Sequence, residues 1–333
     1  MPALNTDLYQ LTMAAGYFAA QKTEEIATFE LIIRRLPDSR NFMIACGLQQ
    51  ALEYLRRLSF LPEEIDYLRS LQQMRNAPHH FFDYLANLRF TGSLYAVPEG
   101  TPVFPNEPIA IVRAPIIQAQ LVETYLLSTF AYQTSVASKA IRCAIAAKGR
   151  PVVEFGSRRA HTPEAGIFAG RAAYIGGCAG TSNTETGHRF DVPVFGTSAH
   201  SWTMSFGTEE SSFRALQDLL GDTTVFLVDT YDTLEGVRNA VEAGRKLRQR
   251  GYDMIGIRLD SGDLAYLSIE ARKILDAGGF PETAVLHYKP AHNAYEATQP
   301  DFFVDETDAW IVYPWDVGEA NLPAGVLESL SEA

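Results

Sequence analysis

The sequence predicts an α/β fold: parallel strands linked by crossover helices, preceded by an N-terminal α+β domain. Three observations lead there. Beyond Arg150, short apolar runs of strand character alternate four times with stretches of helical periodicity. A long helical pattern stands before the first of these repeats. Each apolar run ends in polar residues able to do chemistry, as strand ends do on one face of a β/α barrel.

In chain order, Ala27 to Ile33 alternates apolar and polar residues (Phe29, Leu31, Ile33) and reads as a strand, while Leu48 to Leu58 reads as a helix. In residues 90–114 the turn signal Pro98-Glu99-Gly100 separates short β-rich runs, which predicts a compact β module. The helical pattern from Ile117 to Lys148, closed by Gly149, is expected to join an N-terminal domain at 1–135 to a barrel domain at 136–333. Strands are then expected at 151–156, 192–197, 224–230 and 254–260, followed by helices near 164–174, 209–220, 234–250 and 263–277. No GxGxxG follows any of these strands, which disfavours a dinucleotide-binding sheet.

At 333 residues and 47% apolar, the chain is long enough for two domains or one barrel with additions, and for a substantial core. It has no apolar run of about eighteen residues. Its first residues, MPALNTDLYQ, resemble no signal peptide, so a soluble cytoplasmic protein is expected. A net charge of −12 argues against nucleic acid or anionic membranes as partners, and an anionic substrate must then meet a local basic pocket. Cys46, Cys143 and Cys178 are odd in number and widely spaced, which fits neither a disulfide framework nor a zinc site.

The four strand ends read Phe155-Gly156-Ser157-Arg158-Arg159, Gly196-Thr197, Asp229-Thr230 and Arg258-Leu259-Asp260-Ser261-Gly262-Asp263. A strand stopping at Gly196-Thr197 offers backbone N–H groups and a hydroxyl to an anion. His200, three residues on, would face that anion, and imidazole beside a phosphate cradle suits phosphoryl chemistry. Asp263 also stands where an ordinary helix N-cap would.

These residues closely resemble the nicotinate phosphoribosyltransferase family. The likeness runs over roughly residues 5–280: TDLYQLTM (6–13), FELIIRRLP (29–37), AVPEG with VFPNEPI (96–109), EFGSRRAH (154–161), YIGGCAGTSN (174–183), GTSAHS (196–201), LVDTYDT (227–233) and RLDSGDL (258–264). The resemblance implies an irregular β/α barrel of the type II phosphoribosyltransferase kind, in a homodimer with a shared active site. It also implies an ATP-dependent, ligase-class reaction of NAD biosynthesis: nicotinate and phosphoribosyl pyrophosphate give nicotinate mononucleotide and pyrophosphate, with ATP hydrolysed through a phosphohistidine.

On the same footing, His200 is the phosphorylated residue, with Asp260 and Arg258 as further catalytic residues and Gly196 and Thr197 binding phosphate. Phe155 stacks on the pyridine, and Tyr9 of a partner subunit closes the other side. Arg158 and Arg159 pair with the nicotinate carboxylate or the phosphates. Thr181, Ser182 and Asn183, in a glycine-rich turn, contact carboxylate or phosphate. Asp229, Asp260 and Asp263 suit ribose hydroxyls or a Mg²⁺ shell, although no definite set of metal ligands can be named.

Beyond about Phe280 the family's motifs are not found. The runs 283–289 and 310–316 read as strands without them, Gly318 and Gly325 are not at a comparable strand end, and His287 and His292 flank Pro290 too awkwardly for a metal pair. A diverged late barrel, a truncated or frame-shifted copy and a paralogue without turnover all fit this. The alternatives to the leading reading are therefore a catalytically impaired homologue with a ligand-binding or regulatory role, or a related pyridine phosphoribosyltransferase.

Overall fold

A computed structural model describes residues 3–37 and 40–280. The chain divides into two units: residues 1–144 with 152–194, and residues 145–151 with the chain from 195 onward.

The first unit opens with α1 (Leu8–Ala19), which buries Gln10, Leu11, Ala14 and Ala15 and leaves Leu8, Tyr9 and Met13 exposed. β1 (Ile26–Ile32) and β2 (Met43–Ile44) follow. Three helices come next: α2 (Leu48–Arg57), α3 (Pro62–Ser70) and α4 (His79–Asn87). Gly47 starts α2 at φ 115°, a backbone conformation that glycine adopts freely. The predicted β module consists of β3 (Ser93–Ala96), β4 (Pro102–Val103) and β5 (Pro108–Pro115). These strands form an antiparallel sheet ordered β1-β5-β3 and a β2-β4 pair.

The helix expected at 117–148 is divided at Val122 into α5 (Ile116–Leu121) and α6 (Glu123–Ala146). At this junction Gln10 Nε2 donates to Glu123 (2.7 Å) and the Thr124 hydroxyl donates to Asp7 (2.9 Å), which ties α1 down. After Ala146 the chain turns left-handed at Lys148 and Gly149 (φ 50° and 87°).

Still in the first unit are β6 (Val153–Glu154), a 3-10 turn (Ser157–Arg159), α7 (Pro163–Ile175), β7 (Gly180–Thr181) and α8 (Thr184–Phe190). β7 lies parallel to β6. Helix α7 packs on α6: Ala172 and Ala137 share a cluster with Ile44 and Cys46, and a Cβ at Gly176 would collide with the Ala137 carbonyl. This packing builds the first α/β repeat onto the N-terminal helices, so the first unit extends to residue 194.

The second unit contains α9 (His200–Met204), α10 (Glu209–Leu220), β8 (Val225–Leu227), α11 (Thr233–Gln249), β9 (Gly256–Arg258) and α12 (Leu264–Gly278). β8 and β9 are parallel. Phe213, Phe226, Val228, Val237, Leu247, Ile257 and Leu275 form its core.

Two expectations need correction. The strand at 192–197 is only an isolated parallel bridge, Val194 to Thr181. Pro193 has no N–H to donate, and Val194 and Phe195 are exposed. Thr181 is not in a turn but in β7, completely buried, where pairing with β6 makes a strand too short to show periodicity. The α/β class stands, with parallel pairing among the described residues confined to β6, β7 and Val194 and to β8 and β9. Among those residues no helix is long and apolar enough to cross a membrane. Residues 283–289 and 310–316, His287, His292, Gly318 and Gly325 lie outside them.

Candidate active site

In the second unit, the parallel pairing of β8 and β9 brings their ends together, and α9 adds its first residue. His200 Nδ1 lies 3.2 Å from the Thr230 hydroxyl, and Nε2 lies 3.6 Å from the Asp260 carboxylate. The ring is therefore held by one neutral and one anionic partner, and the imidazole itself is part exposed. Arg258 donates from Nη1 to the Thr197 hydroxyl (2.7 Å) and from Nη2 to Asp260 (3.3 Å). Thr197 and Gly196 sit in irregular chain before α9, so the predicted cradle reaches this cluster through Arg258 and not as a strand end.

Asp229, 8% exposed, fixes the loop after β9: its Oδ2 accepts from Asp260 N (2.9 Å) and from the Ser261 hydroxyl (2.6 Å). Its Oδ1 is buried without a hydrogen-bond partner among the described residues, as is Arg258 Nε. Asp263 caps α12, accepting from Tyr266 N at 3.1 Å, which is the plain helix-cap role its position allowed.

The first unit carries the other predicted residues, all of them at the ends of β6 and β7 except Tyr9, which lies on α1. Phe155 is 43% exposed, and Arg158 and Arg159 are exposed on the 3-10 turn that follows it. Asn183 caps α8 through Thr186 N (2.9 Å) and donates from Nδ2 to Ser157 (3.1 Å). Ser182 N donates to the Glu154 carbonyl (2.8 Å). Tyr9 is 50% exposed, so it is not the core ring of an amphipathic helix.

Thr230, Ser261, Ser157 and Glu154 also belong to these clusters, although sequence reasoning gave them no role. They are the immediate neighbours of Asp229, Asp260, Arg158 and Phe155, and that adjacency was the available signal.

For a divalent cation, the unpartnered Asp229 Oδ1 beside Asp260 offers the hard, anionic oxygens that Mg²⁺ takes, and so fits the ion. His79, His80 and Asp83 form an exposed cluster on α4, but Arg69 already lies against His79 (3.3 Å) and Asp83 (3.2 Å).

Family models for the nicotinate phosphoribosyltransferase N-terminal domain and for the nicotinate phosphoribosyltransferase family match residues 4–131 and 151–299. The chain belongs to the nicotinate phosphoribosyltransferase family. The family match continues past Phe280, where the individual motifs stop. A nicotinate phosphoribosyltransferase of Mycobacterium tuberculosis is 44% identical over 283 residues, covering 85% of this chain and 60% of that protein. The Bacillus subtilis enzyme of that name is 45% identical over 285 residues, covering 85% and 57%. This family member thus spans about 60% of the length of those curated relatives.

Among solved structures, human nicotinic acid phosphoribosyltransferase superposes with a TM-score of 0.77 at 31% identity, covering 82% of this chain and 64% of that one. A nicotinate-nucleotide pyrophosphorylase from Pyrococcus furiosus, with a TM-score of 0.67 at 23% identity, shares the fold.

Proposed function

We propose that this protein makes nicotinate mononucleotide and pyrophosphate from nicotinate and phosphoribosyl pyrophosphate, an ATP-assisted step of NAD biosynthesis in the cytoplasm. The observation that carries the reading is the setting of His200, between the Thr230 hydroxyl and the Asp260 carboxylate, with Arg258 anchored on Thr197.

In this reading a His200 ring nitrogen takes the γ-phosphoryl group of ATP, releasing ADP, and water later releases phosphate from the histidine. Arg258 and the Thr197 hydroxyl bind phosphate oxygens, and Thr230 and Asp260 orient the imidazole. In the transfer step the pyridine nitrogen forms its bond to the sugar C1 as the bond from C1 to pyrophosphate breaks. The exposed guanidinium groups of Arg158 and Arg159 pair with the anions of the substrates, and the Phe155 face orients the pyridine.

Asp229 and Asp260 would hold Mg²⁺, which when bound neutralises charge on the pyrophosphate. Asp263 adds to the site through the start of α12. Thr181 acts from the interior through Glu154, whereas Ser182 and Asn183 line the turn. A homodimer in which Tyr9 of a second subunit faces the pyridine gives a role to a tyrosine left half exposed on α1, beside the exposed Leu8 and Met13.

The test is product formation from nicotinate, phosphoribosyl pyrophosphate, Mg²⁺ and ATP, with nicotinamide and quinolinate as alternative acceptors. Wild type is expected to form nicotinate mononucleotide and to carry an acid-labile label from γ-labelled ATP, and His200→Ala is expected to lose the label. No product from folded wild type, or equal labelling of the two proteins, overturns the reading.

A further inference from the structure

We infer that Glu154 is a positioning residue that holds the Phe155–Arg159 turn in shape for the pyridine carboxylate; the inference rests on the phosphoribosyl transfer proposed above. Glu154 ends β6, and both of its carboxylate oxygens are engaged inside the protein. Oε1 accepts from the backbone N–H of Gly156, and Oε2 accepts from the Thr181 hydroxyl at 2.6 Å. Thr181 is itself completely buried, and its Oγ1 also accepts from Asn183 N at 3.0 Å. Helix α7 presses on the same hydroxyl, for a Cβ at Gly170 would stand 2.9 Å from it. A second strap, from Asn183 Nδ2 to Ser157 Oγ at 3.1 Å, closes the loop from the other side.

The chemistry explains why the oxygens must be engaged. A carboxylate at the foot of a turn that receives an anionic ligand repels it less when donor dipoles face its oxygens. Two donors that point at separate oxygens do this and leave no lone pair of Glu154 directed at them idle. The same two bonds clamp the chain on either side of Phe155, since Glu154 precedes the ring and Gly156 follows it. The exposed guanidinium groups of Arg158 and Arg159 are thus carried on a turn whose conformation is set from the buried side. Glutamine in place of Glu154 removes the charge and turns an NH₂ toward one donor, so the Thr181 hydroxyl must accept where it now donates and the charge-assisted bond is lost.

The experiment uses the full chain with Glu154→Gln, Thr181→Val and Thr181→Ser. Hydrogen exchange of the peptide containing Gly156–Ala160 reads the turn directly, and steady-state kinetics reads its effect on each substrate. For Glu154→Gln the expected result is turn exchange faster by about tenfold and a nicotinate KM raised by about tenfold, the scale of one charge-assisted hydrogen bond. The labelling of His200 by ATP stays within about twofold. Thr181→Val shifts the same two readouts in the same direction, and Thr181→Ser restores them.

Unchanged exchange in Glu154→Gln overturns the inference, as does a loss spread evenly over both substrates and His200 labelling. Wild type without product instead overturns the phosphoribosyl transfer reading, and the exchange measurement still decides whether Glu154 clamps the turn.

Discussion

At the scale of single residues, Glu99 and Arg171 form a largely buried pair in which two guanidinium nitrogens donate to the two carboxylate oxygens at 2.9 and 2.6 Å. Their side chains are only 17% and 11% exposed. Glu99 also accepts from the backbone of Gly47 (2.7 Å), and the guanidinium lies over the Phe190 ring at 5.4 Å. Burial alone pushes the Glu99 carboxyl up, but the hydrogen bonds and charge of Arg171, with the Gly47 N–H, outweigh it and hold the group below its usual range. Burial and the neighbouring Glu99 also push the Cys46 thiol up to about 12, which makes it a packing group at neutral pH. Removing one member of such a pair strands the other, so Glu99→Ala is expected to lower stability at pH 7 by about 3–5 kcal/mol in urea unfolding. A carboxyl with a depressed folded-state pKa contributes stability that is fully present above its unfolded value, roughly 4.3. That contribution fades as pH falls through the folded value, so the gap between wild type and Glu99→Ala should narrow below about pH 4. A gap as wide at pH 3 as at pH 7 would contradict this account.

At the scale of elements, periodicity revealed α2, α7, α10, α11 and α12 in advance and read α5 and α6 as one helix, while α1, α3, α4, α8 and α9 were not foreseen. α2, α7, α10, α11 and α12 begin and end within one or two residues of expectation, four of them with a side-chain N-cap at Thr162, Thr208, Asp232 or Asp263. Short elements were hidden: β7 is two residues long, and α8 has only seven. The candidate site followed the same division. Residues that carry charge at a strand end, such as Arg258 and Asp260, could be read from the sequence, whereas partners defined by geometry, such as Thr230 on His200 and Glu154 on Thr181, could not. Gly236 shows how an element can carry function without touching it. A Cβ there would run into the Val228 carbonyl, so the glycine lets α11 lie directly on the end of β8, one residue before Asp229 and two before Thr230. Gly236→Ala must move the helix or the strand end, and overpacking of this kind costs about 1–3 kcal/mol. The expected outcome is a melting temperature lower by several degrees, roughly 2–4 °C per kcal/mol, together with reduced ATP labelling of His200. An unchanged melting temperature with full labelling would show that the close approach has no such role.

At the scale of the whole molecule, the hydrophobic clusters fall on either side of the division. Residues Ala3 to Phe130, with smaller clusters around Ala137, Ala140, Ala172 and Cys178, belong to the first unit, and residues Phe213 to Phe280 to the second. No residue is shared between the two sets, although the chain passes between the units at 144–145, 151–152 and 194–195. Cooperative opening follows contiguous buried clusters, so each unit should respond chiefly to damage in its own core. Phe226, fully buried, and Phe130, 2% exposed, are the matching probes, and truncating either to alanine costs about 3–5 kcal/mol. Phe226→Ala is expected to speed hydrogen exchange in α10, α11 and α12 and around Asp229 while leaving α2 and α4 near their wild-type rates. Phe130→Ala should do the reverse, speeding α2, α4 and α6. The consequence for chemistry is separable as well: the first variant should lose His200 labelling at temperatures where the second retains it, because His200, Thr230, Arg258 and Asp260 all sit in the second unit. Uniform acceleration across both units by either substitution would show that the chain opens as one cooperative body.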